Sequence, residues 1–203
     1  MIGIVFSTQE EALPFLQAYE RGRFNGLSEG EEQHDGQCLI SIIGIGKIKA
    51  TLRTERLART HRFSKLLHVG TCTSLVETLS VGTLVAATQV FEGDRIELAA
   101  PTYPRMPLSA PFPKLESVTL VTQDHTVHGA TELSYWQRIA DVSDMTGYAV
   151  AYVAATHGVG CHVLKVVSGH MGVEDKNLRK TLAASNKKLA GYLSKNVSKL
   201  FSD

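Results

Sequence analysis

The sequence lacks an excess of charge of either sign, with 21 lysine and arginine residues against 20 aspartate and glutamate residues in a chain of 203. Proteins that bind nucleic acid or anionic membranes usually carry a basic patch or field, which this balance does not favour. The sequence also lacks an apolar run of the roughly 18 to 20 residues that cross a membrane. We therefore expect a soluble protein whose partner is a small molecule or a protein, with no nucleic acid and no membrane.

Cysteine is scarce: Cys38, Cys72 and Cys161 are odd in number, far apart, and each lies in or beside an apolar run. This pattern favours buried reduced thiols over a disulfide framework. The first residues have no basic segment ahead of the apolar stretch, unlike a secretory signal. These absences predict a cytoplasmic protein in a reducing compartment.

Short apolar runs rich in branched residues alternate with segments of helical spacing along the chain. The alternation predicts an α/β fold, a single domain over residues 1–203 in which three layers place helices on both faces of a sheet. Strands are predicted at 2–6, 38–43, 66–69, 82–91, 118–122 and 161–167, helices at 12–19, 48–59, 145–155 and 174–200, and a short helix or a turn at 129–140. The predicted core-facing residues of the second and last helices are Ile48, Leu52, Leu57, Leu178, Leu182, Leu189, Leu193 and Val197.

Small or polar residues follow four of the predicted strands, at 7–11, 44–47, 70–74 and 168–170. In sheets of this kind ligands collect beyond the carboxyl ends of the strands. The four clusters therefore predict loops that meet around one ligand site. Residues 20–37 and 101–113 are expected to form exposed loops.

Six segments in the same order resemble the nucleoside phosphorylase and nucleosidase superfamily, which includes methylthioadenosine/adenosylhomocysteine nucleosidase and futalosine hydrolase. They are IGIVFSTQEEALPFL, GIGKIKATLRTERLA, LHVGTCTSLVETLSVGTLVAATQVFEGD, LVTQDHTVHG, DMTGYAVAYVAATHGVGCHVLKVVSGH and the last helix. The resemblance implies a mixed, partly barrel-like sheet, no cofactor and a homo-oligomer, a dimer or larger. It also implies cleavage of the bond between the ribose anomeric carbon and a base nitrogen.

That reaction passes through a ribosyl cation while negative charge moves onto the base, so the site needs a nucleophile, ribose-binding groups and an acid. By resemblance, Glu11 activates a water molecule as the nucleophile. Since no arginine precedes Arg21 in the first loop, water is favoured over phosphate. Glu11 also fits a simpler reading, a first-turn glutamate that stabilises the helix dipole.

The resemblance assigns Ser7, Gly70 and Thr71 to the substrate-binding loops, with Thr71 in place of the usual serine. It aligns Asp144, Met145 and Thr146 with a motif whose second glutamate binds the ribose hydroxyls. A neutral threonine at that position lacks the charge and the paired acceptors of a carboxylate, so we expect weaker ribose binding. Asp144 either reaches the ribose or caps the following helix.

The run Ser168-Gly169-His170 places a glycine where the family has the aspartate that protonates the departing base. General acid catalysis typically contributes about 10²- to 10⁴-fold, so a reaction slower than is usual for the family is expected. His170 is the candidate replacement acid, because an imidazolium is a competent acid near neutral pH. The alternative is a histidine that only faces solvent.

Three functions stay open on these grounds: a divergent nucleosidase for a purine or modified nucleoside, a catalytically impaired relative that binds such a ligand or has a structural role, and a phosphate-dependent phosphorylase. For the phosphorylase, Arg53, Arg56 or a neighbouring subunit's arginine would hold phosphate. Asp124, His125 and His128 are too few for a metal site, and none is expected. His68 and His162, within apolar strands, are expected to be core histidines with their hydrogen bonds satisfied.

Overall fold

The structure is a computed structural model, and it describes residues 1–19, 26–94, 105–127 and 129–201. These residues include nine strands and five α-helices. The strands are β1 (Ile2–Phe6), β2 (Glu32–His34), β3 (Cys38–Ile42), β4 (Lys65–Ser74), β5 (Leu84–Glu92), β6 (Arg105–Pro107), β7 (Glu116–Thr122), β8 (Val142–Asp144) and β9 (Gly160–His170). The helices are α1 (Gln9–Ala18), α2 (Lys47–Thr60), α3 (Gly129–Trp136), α4 (Gly147–Thr156) and α5 (Leu178–Asn196), and a 3-10 turn follows at Val197–Phe201.

The strands form one mixed sheet that closes on itself along part of its width. The order β2-β3-β1-β4-β8-β7-β5-β6 is joined by β9, which pairs with both β4 and β5. Strands β4, β8, β7, β5 and β9 therefore form a closed ring, while β1, β3 and β2 extend it as an open sheet. The predicted α/β class with a partly barrel-like sheet is confirmed.

Buried apolar side chains form three clusters, and the two larger ones lie on opposite sides of the sheet. On one side α1 and α5 pack over β1 and β4, with Phe6, Phe15 and Leu189 fully or almost fully buried. On the other side α2 and α4 pack together, with Leu57 and Val150 in the second core. Each such side chain contributes about 1.5–3 kcal/mol by its removal from water. The predicted three-layer arrangement is confirmed.

Residues 70–74 were expected to form a loop, and this expectation is wrong. They continue β4, because Thr73 and Ser74 pair with Gly169 and His170 of β9 in parallel register. The run 168–170 is likewise part of a strand. A β-bulge between Cys72 and Thr73 shifts the register at the point where the two strands reach their polar ends.

The orientation predicted for α2 is wrong for two of its three residues, since Ile48 and Leu52 are 74% and 66% exposed, whereas Leu57 is buried as predicted. The helix also buries Ala50 and Thr54. Two small side chains on that face let α2 pack closely against α4, while the larger Ile48 and Leu52 point away. In α5, Leu178 is exposed, whereas Leu189, Leu193 and Val197 are buried as predicted.

All three cysteines are buried, as predicted. Of the two predicted loops, residues 20–25 and 101–104 lie outside the described residues, and the described parts contain the short strands β2 and β6. Among the residues that the structure describes, no helix is both long enough and apolar enough to span a membrane.

Candidate active site

A cavity of about 880 Å³ lies between α1, α5 and the carboxyl ends of β4, β8 and β9. This volume is within the range that small-molecule sites occupy. Its lining combines hydroxyls and charged groups with apolar side chains. The lining residues are Ser7, Thr8, Glu10, Glu11, Leu13, Pro14, Ile45, Thr71, Cys72, Thr73, Ser143, Asp144, Met145, Thr146, Lys165, Ser168, Arg179, Leu182, Ala183 and Asn186.

Glu11 is a largely buried carboxylate at this cavity, 7% exposed. The start of α1 is a capping box, in which the Glu11 backbone N–H donates to Thr8 Oγ1 and the Thr8 N–H donates to Glu11 Oε2. The Ser7 N–H also donates to Oε2, at 3.1 Å, and Thr71 donates to Oε1 through its N–H at 2.7 Å and its hydroxyl at 2.8 Å. Four donors therefore hold the carboxylate in one position.

Gly70 explains how β4 approaches this carboxylate so closely. A Cβ atom on Gly70 would lie 2.8 Å from Glu11 Oε1, nearer than such contacts occur. Gly70 is not itself a lining residue of the cavity, so its contribution is to leave room for Glu11. Both expectations for Glu11, the helix start and the wall of the predicted site, match its position.

A second carboxylate, Asp144, forms a buried ion pair with Lys165, at 2.7 Å between Oδ2 and Nζ. The two side chains are 3% and 1% exposed. Asp144 also accepts hydrogen bonds from the Thr122 hydroxyl and from the Gly147 N–H at the start of α4. Burial would raise the pKa of Asp144, but Lys165 and these hydrogen bonds hold that pKa below its usual value.

Asp144 therefore accepts hydrogen bonds at the start of α4, which agrees with the capping alternative, and it also borders the cavity. Lys165 was not singled out from the sequence. The signal was present as a lysine inside the apolar run of β9, where a charged side chain needs a partner.

Three polar side chains from different elements meet at the cavity wall, where Ser7 and Thr146 line the cavity and His68 lies behind them. The hydroxyl oxygens of Ser7 and Thr146 lie 2.9 Å apart, and His68 Nε2 lies 3.1 Å from Thr146 Oγ1 and 3.4 Å from Ser7 Oγ. His68 is fully buried. Burial, helped by the positive charge of Lys165, holds the pKa of His68 well below its usual value, so the ring is neutral.

His68 Nδ1 has no hydrogen-bond partner within the described residues. The expectation that His68 is a core histidine with its hydrogen bonds satisfied is therefore wrong for one of its two nitrogens. His162 is only partly buried, and its Nδ1 lies 2.8 Å from the Ser109 carbonyl oxygen.

The end of β9 contributes less to the cavity than the sequence predicted. Ser168 lines it and donates a hydrogen bond to the Cys72 carbonyl oxygen at 3.2 Å. Gly169 and His170 are partly exposed and are not lining residues. A Cβ atom on Gly169 would have no other atom within 4 Å, so a larger side chain fits there.

Helix α5 supplies a wall that the sequence did not predict, with Arg179, Leu182 and Asn186 facing the cavity. Asn186 is 4% exposed and donates from Nδ2 to the Glu10 carbonyl oxygen, which ties α5 to α1. In the sequence these residues belong to an ordinary amphipathic helix, so nothing there distinguishes them. Arg53, one candidate phosphate ligand, instead pairs with Glu29 at 2.8 Å.

Cys72 also lines the cavity, but burial raises the pKa of its thiol to about 12. The thiol therefore stays protonated and is a poor nucleophile. Across the described part of the chain, histidine, cysteine and acidic side chains form no group of three that could hold a metal ion. His125 instead pairs with Asp94 and Glu132, and His128 lies outside the described residues.

The known proteins that are similar to this chain in sequence or in structure belong to one group, the phosphorylase superfamily and nucleosidases. The sequence profile described as "Phosphorylase superfamily" matches residues 1–120. An aminodeoxyfutalosine nucleosidase from Helicobacter pylori (strain J99) is 26% identical, with the match covering 82% of this chain and 84% of that protein. A second such protein, from strain 26695, is 25% identical over 85% of this chain and 87% of its own length.

Solved structures show the same fold. The 5'-methylthioadenosine/S-adenosylhomocysteine nucleosidase of H. pylori, with butyl-thio-DADMe-Immucillin-A, matches with a TM-score of 0.79 at 22% identity, over 98% of this chain and 97% of that one. The 5'-methylthioadenosine nucleosidase of Arabidopsis thaliana in apo form matches with a TM-score of 0.81 at 19% identity, over 100% and 96% of the two chains. These proteins therefore share the fold of this chain.

Proposed function

Because this chain belongs to the phosphorylase superfamily, we propose that it is a nucleosidase, which hydrolyses the N-glycosidic bond of a purine or modified nucleoside by attack of water on the ribose anomeric carbon. Its relatives at 26% and 25% identity are nucleosidases. The observation that carries the proposal is the Glu11 carboxylate, which lines the cavity and is held by four hydrogen-bond donors.

Glu11 is the general base of this proposal. Of its four donors, three are backbone N–H groups with fixed directions, while the Thr71 hydroxyl can rotate away. Rotation frees a lone pair on Oε1 for a proton of the attacking water. The bond between water oxygen and the anomeric carbon then forms as the carbon–nitrogen bond breaks and its electron pair moves to the base. A positioned base contributes about 10²- to 10⁴-fold.

The charge of the cavity wall also favours this reaction. Lys165 offsets the charge of Asp144, whereas no lysine or arginine pairs with Glu11 among the described ion pairs. The uncompensated negative charge therefore lies beside the water and the sugar, where a ribosyl cation develops. Ser7, Met145 and Thr146 line the neighbouring wall, which we assign to the sugar.

The site gives the departing base less help than it gives the nucleophile, since Gly169 has no proton to donate. We assign the role of replacement acid to His170, which follows the lining residue Ser168 by two positions. This assignment requires the end of β9 to bring the ring towards the cavity. A slower reaction than one with an aspartate at position 169 is expected.

A protein that binds a nucleoside without cleaving it is the second candidate. It is favoured by the saturated hydrogen bonding of Glu11 together with the open space at Gly169. A phosphorylase is the third, for which Arg179 is the arginine that lines the cavity.

One experiment separates the three candidates. The purified protein is incubated with methylthioadenosine, adenosylhomocysteine, inosine and futalosine, with and without phosphate, and free base is measured by chromatography. We expect base release that does not depend on phosphate. Phosphate-dependent release would indicate a phosphorylase, and thermal stabilisation without release would indicate a binding protein. If the protein neither releases base from any of these nucleosides nor is stabilised by them, the proposal is overturned.

A homo-oligomer is part of the proposal as well. Three large apolar side chains at the start of α2 are exposed: Ile45, Ile48 and Leu52, at 53%, 74% and 66%. Ile45 also lines the cavity, so an apolar surface begins at the cavity. A second copy covering it would remove these side chains from water. Light scattering on the purified protein measures the mass, and a strictly monomeric mass would contradict this part.

A further inference from the structure

The charge of the chain is balanced overall but not along helix α5. Seven of the 21 lysine and arginine residues lie between Lys176 and Phe201, where the sequence has no acidic residue. An exposed helix more often carries charges of both signs, which pair when they are three or four residues apart. Because one end of α5 borders the cavity, its charge acts on whatever enters there.

Helix geometry groups three of these cations around one small side chain at the cavity, that of Ala183. Arg179 and Lys187 are four residues before and after Ala183, and Lys180 is three residues before it. Residues at these spacings are neighbours on a helix surface, with Cβ atoms about 5–6 Å apart. Arg179 and Ala183 line the cavity, and all four residues are exposed. The three cationic side chains therefore surround a methyl group, which leaves space between them.

The protein's own acidic groups do not neutralise these three cations. Within the described residues, none of the three side chains forms an ion pair or a hydrogen bond. Lys49, by contrast, pairs with Glu29 at 2.9 Å. The carboxylate of Asp175, just before α5, accepts hydrogen bonds from the Asn177 N–H and the Thr181 hydroxyl. Like charges at this spacing repel each other, and an anion between them would relieve that repulsion.

Three acidic side chains line the same cavity, but only one of them is exposed. Glu11 and Asp144 are buried, and each is held by the protein's own donors. Glu10 is exposed on α1, and Asn186 of α5 donates to its backbone carbonyl oxygen. Among the described ion pairs, none joins Glu10 to Arg179. One exposed carboxylate therefore opposes three cations, and the α5 edge of the cavity keeps an excess of positive charge.

We propose that Arg179, Lys180 and Lys187 form a phosphate-binding subsite at the α5 edge of the cavity, and that the substrate is a nucleoside 5'-monophosphate. The inference rests on the proposed nucleosidase function and names its substrate class. A phosphate monoester carries about −1.5 to −2 charges at pH 7 and three strong acceptor oxygens, which match three cationic donors. A carboxylate would bring one charge and two oxygens. Arginine binds phosphate through paired N–H groups, and lysine binds it as a point charge.

The position of this subsite agrees with the roles proposed for the other walls. The attacked carbon lies at Glu11, the sugar lies against Ser7 and Thr146, and the base lies towards Ser168. The α5 wall is then left for the group on C5'. In the reaction the C1'–N bond breaks with its electron pair going to the base, water oxygen bonds to C1', and one water proton passes to Glu11 and then to the base. The phosphate ester is unchanged, so the products are free base and ribose 5-phosphate.

The test compares kcat/KM for adenosine 5'-monophosphate with adenosine, and for inosine 5'-monophosphate with inosine. We expect the monophosphates to be preferred by about tenfold or more, because hydrogen bonds between charged groups are stronger than neutral ones. A preference below about threefold would overturn the inference and leave the nucleosidase function in place. Release of base from none of these compounds or the larger panel would count against the nucleosidase function itself.

The same assay separates an ester phosphate from free phosphate. With an ester subsite, added orthophosphate should inhibit cleavage of adenosine 5'-monophosphate by competition and should not stimulate cleavage of adenosine. Release of base from adenosine that requires orthophosphate, without release from the monophosphate, would assign the cations to a phosphorylase and overturn the inference.

Variants of α5 test the three cations. Arg179→Gln and Lys187→Gln should each lower the ratio of kcat/KM for monophosphate over nucleoside by about three- to tenfold, whereas Arg179→Lys should retain part of it. Ala183→Glu places a carboxylate between the cations and should bring the ratio to about one. Lys195→Gln, at an exposed lysine farther along α5, is the matched control and should keep the wild-type ratio. An unchanged ratio in folded Ala183→Glu would contradict the proposed subsite.

Thermal stabilisation provides a readout that does not need turnover. Adenosine 5'-monophosphate should stabilise the wild-type protein more than adenosine does at the same concentration. This difference should shrink as salt is raised from about 0.02 M to about 0.3 M, because salt screens exposed charges. Equal stabilisation by the two compounds at low salt would overturn the inference even for a protein that releases no base.

Discussion

The two walls of the cavity differ in the kind of group that holds their buried carboxylate. On the wall formed by β1, α1 and β4, Glu11 is held by hydrogen bonds from hydroxyl and backbone donors and has no cationic partner among the described ion pairs. On the wall formed by β8, α4 and β9, Asp144 is neutralised by Lys165, and Gly169, one residue before the end of β9, has open space beside it. In the proposed function, the first wall would activate the nucleophile, and the second would give the leaving group no comparable help.

Replacing Glu11 tests the first wall and should have the largest effect. The Glu11→Gln variant keeps the shape of the side chain but removes the base, so base release should fall by about 10²- to 10⁴-fold. Chromatographic initial rates measure the change. Glu77→Gln, at an exposed glutamate outside the cavity, is the matched control and should keep the wild-type rate.

A Glu11→Gln rate within about threefold of wild type, well below the 10²-fold expected of a lost base, would contradict the assignment of Glu11 as the base. Glu11 would then act only as the capping residue of α1. Thermal unfolding of the same variant shows how much of any loss comes from the weakened helix start, for which about 0.5–2 kcal/mol is typical.

Breaking the ion pair tests the second wall through stability. Lys165→Met leaves Asp144 buried without its cation, and loss of one partner of a buried pair typically costs about 3–5 kcal/mol. Urea unfolding of wild type and variant gives the difference in the free energy of unfolding. Lys49→Met is the control, because the Lys49–Glu29 pair is about half exposed and such pairs contribute about 0–1 kcal/mol.

The double variant Lys165→Met, Asp144→Leu sharpens this test. Removing both charges should recover much of the stability lost in the single variant, since no unpaired charge stays buried. Equal losses in Lys165→Met and Lys49→Met would show that the pair at the cavity contributes no more than an exposed one.

An acidic side chain at position 169 should supply the general acid that the second wall lacks. Gly169 is not among the glycines with positive φ, and a Cβ there meets no atom within 4 Å, so Gly169→Asp should fold. We expect base release to rise by about tenfold, less than the 10²- to 10⁴-fold of a well-placed general acid, because Gly169 does not line the cavity. Gly169→Asn, which has similar shape but cannot act as an acid, should show no rise. Equal rates in both variants would place position 169 too far from the base.

Most of the fold was predictable because apolar runs mark buried strands and helices, but the short strands β2, β6 and β8 have three residues each and no repeating pattern. Of the site, Glu11 and Thr146 could be placed from motifs along the chain. The partners that define their chemistry could not, because Lys165 and His68 lie in apolar strands whose sequence hides which face meets the cavity. The exposed Ile48 and Leu52 show the same limit, since helical spacing allows more than one face.

The smallest predicted effect is the contribution of His68 to the free energy of unfolding. This contribution depends on pH in a defined direction. Its pKa in the folded protein is well below the value of about 6.5 in an unfolded chain. Below about pH 6.5 the unfolded state takes up a proton that the folded state does not, so the free energy of unfolding falls as the pH is lowered, by up to about 1.4 kcal/mol per pH unit. The stabilising contribution is fully present above that pH.

Urea unfolding between about pH 5 and pH 7.5 measures this slope, and His68→Gln, which can still donate to Thr146, should make it shallower. His125 supplies a contrast of opposite sign. Glu132 and Asp94 raise the pKa of His125, so its contribution is present at low pH and is lost as the pH rises through that pKa. His125→Gln should therefore steepen the fall towards acid pH. If His68→Gln leaves the slope unchanged, His68 is not held neutral in the folded protein.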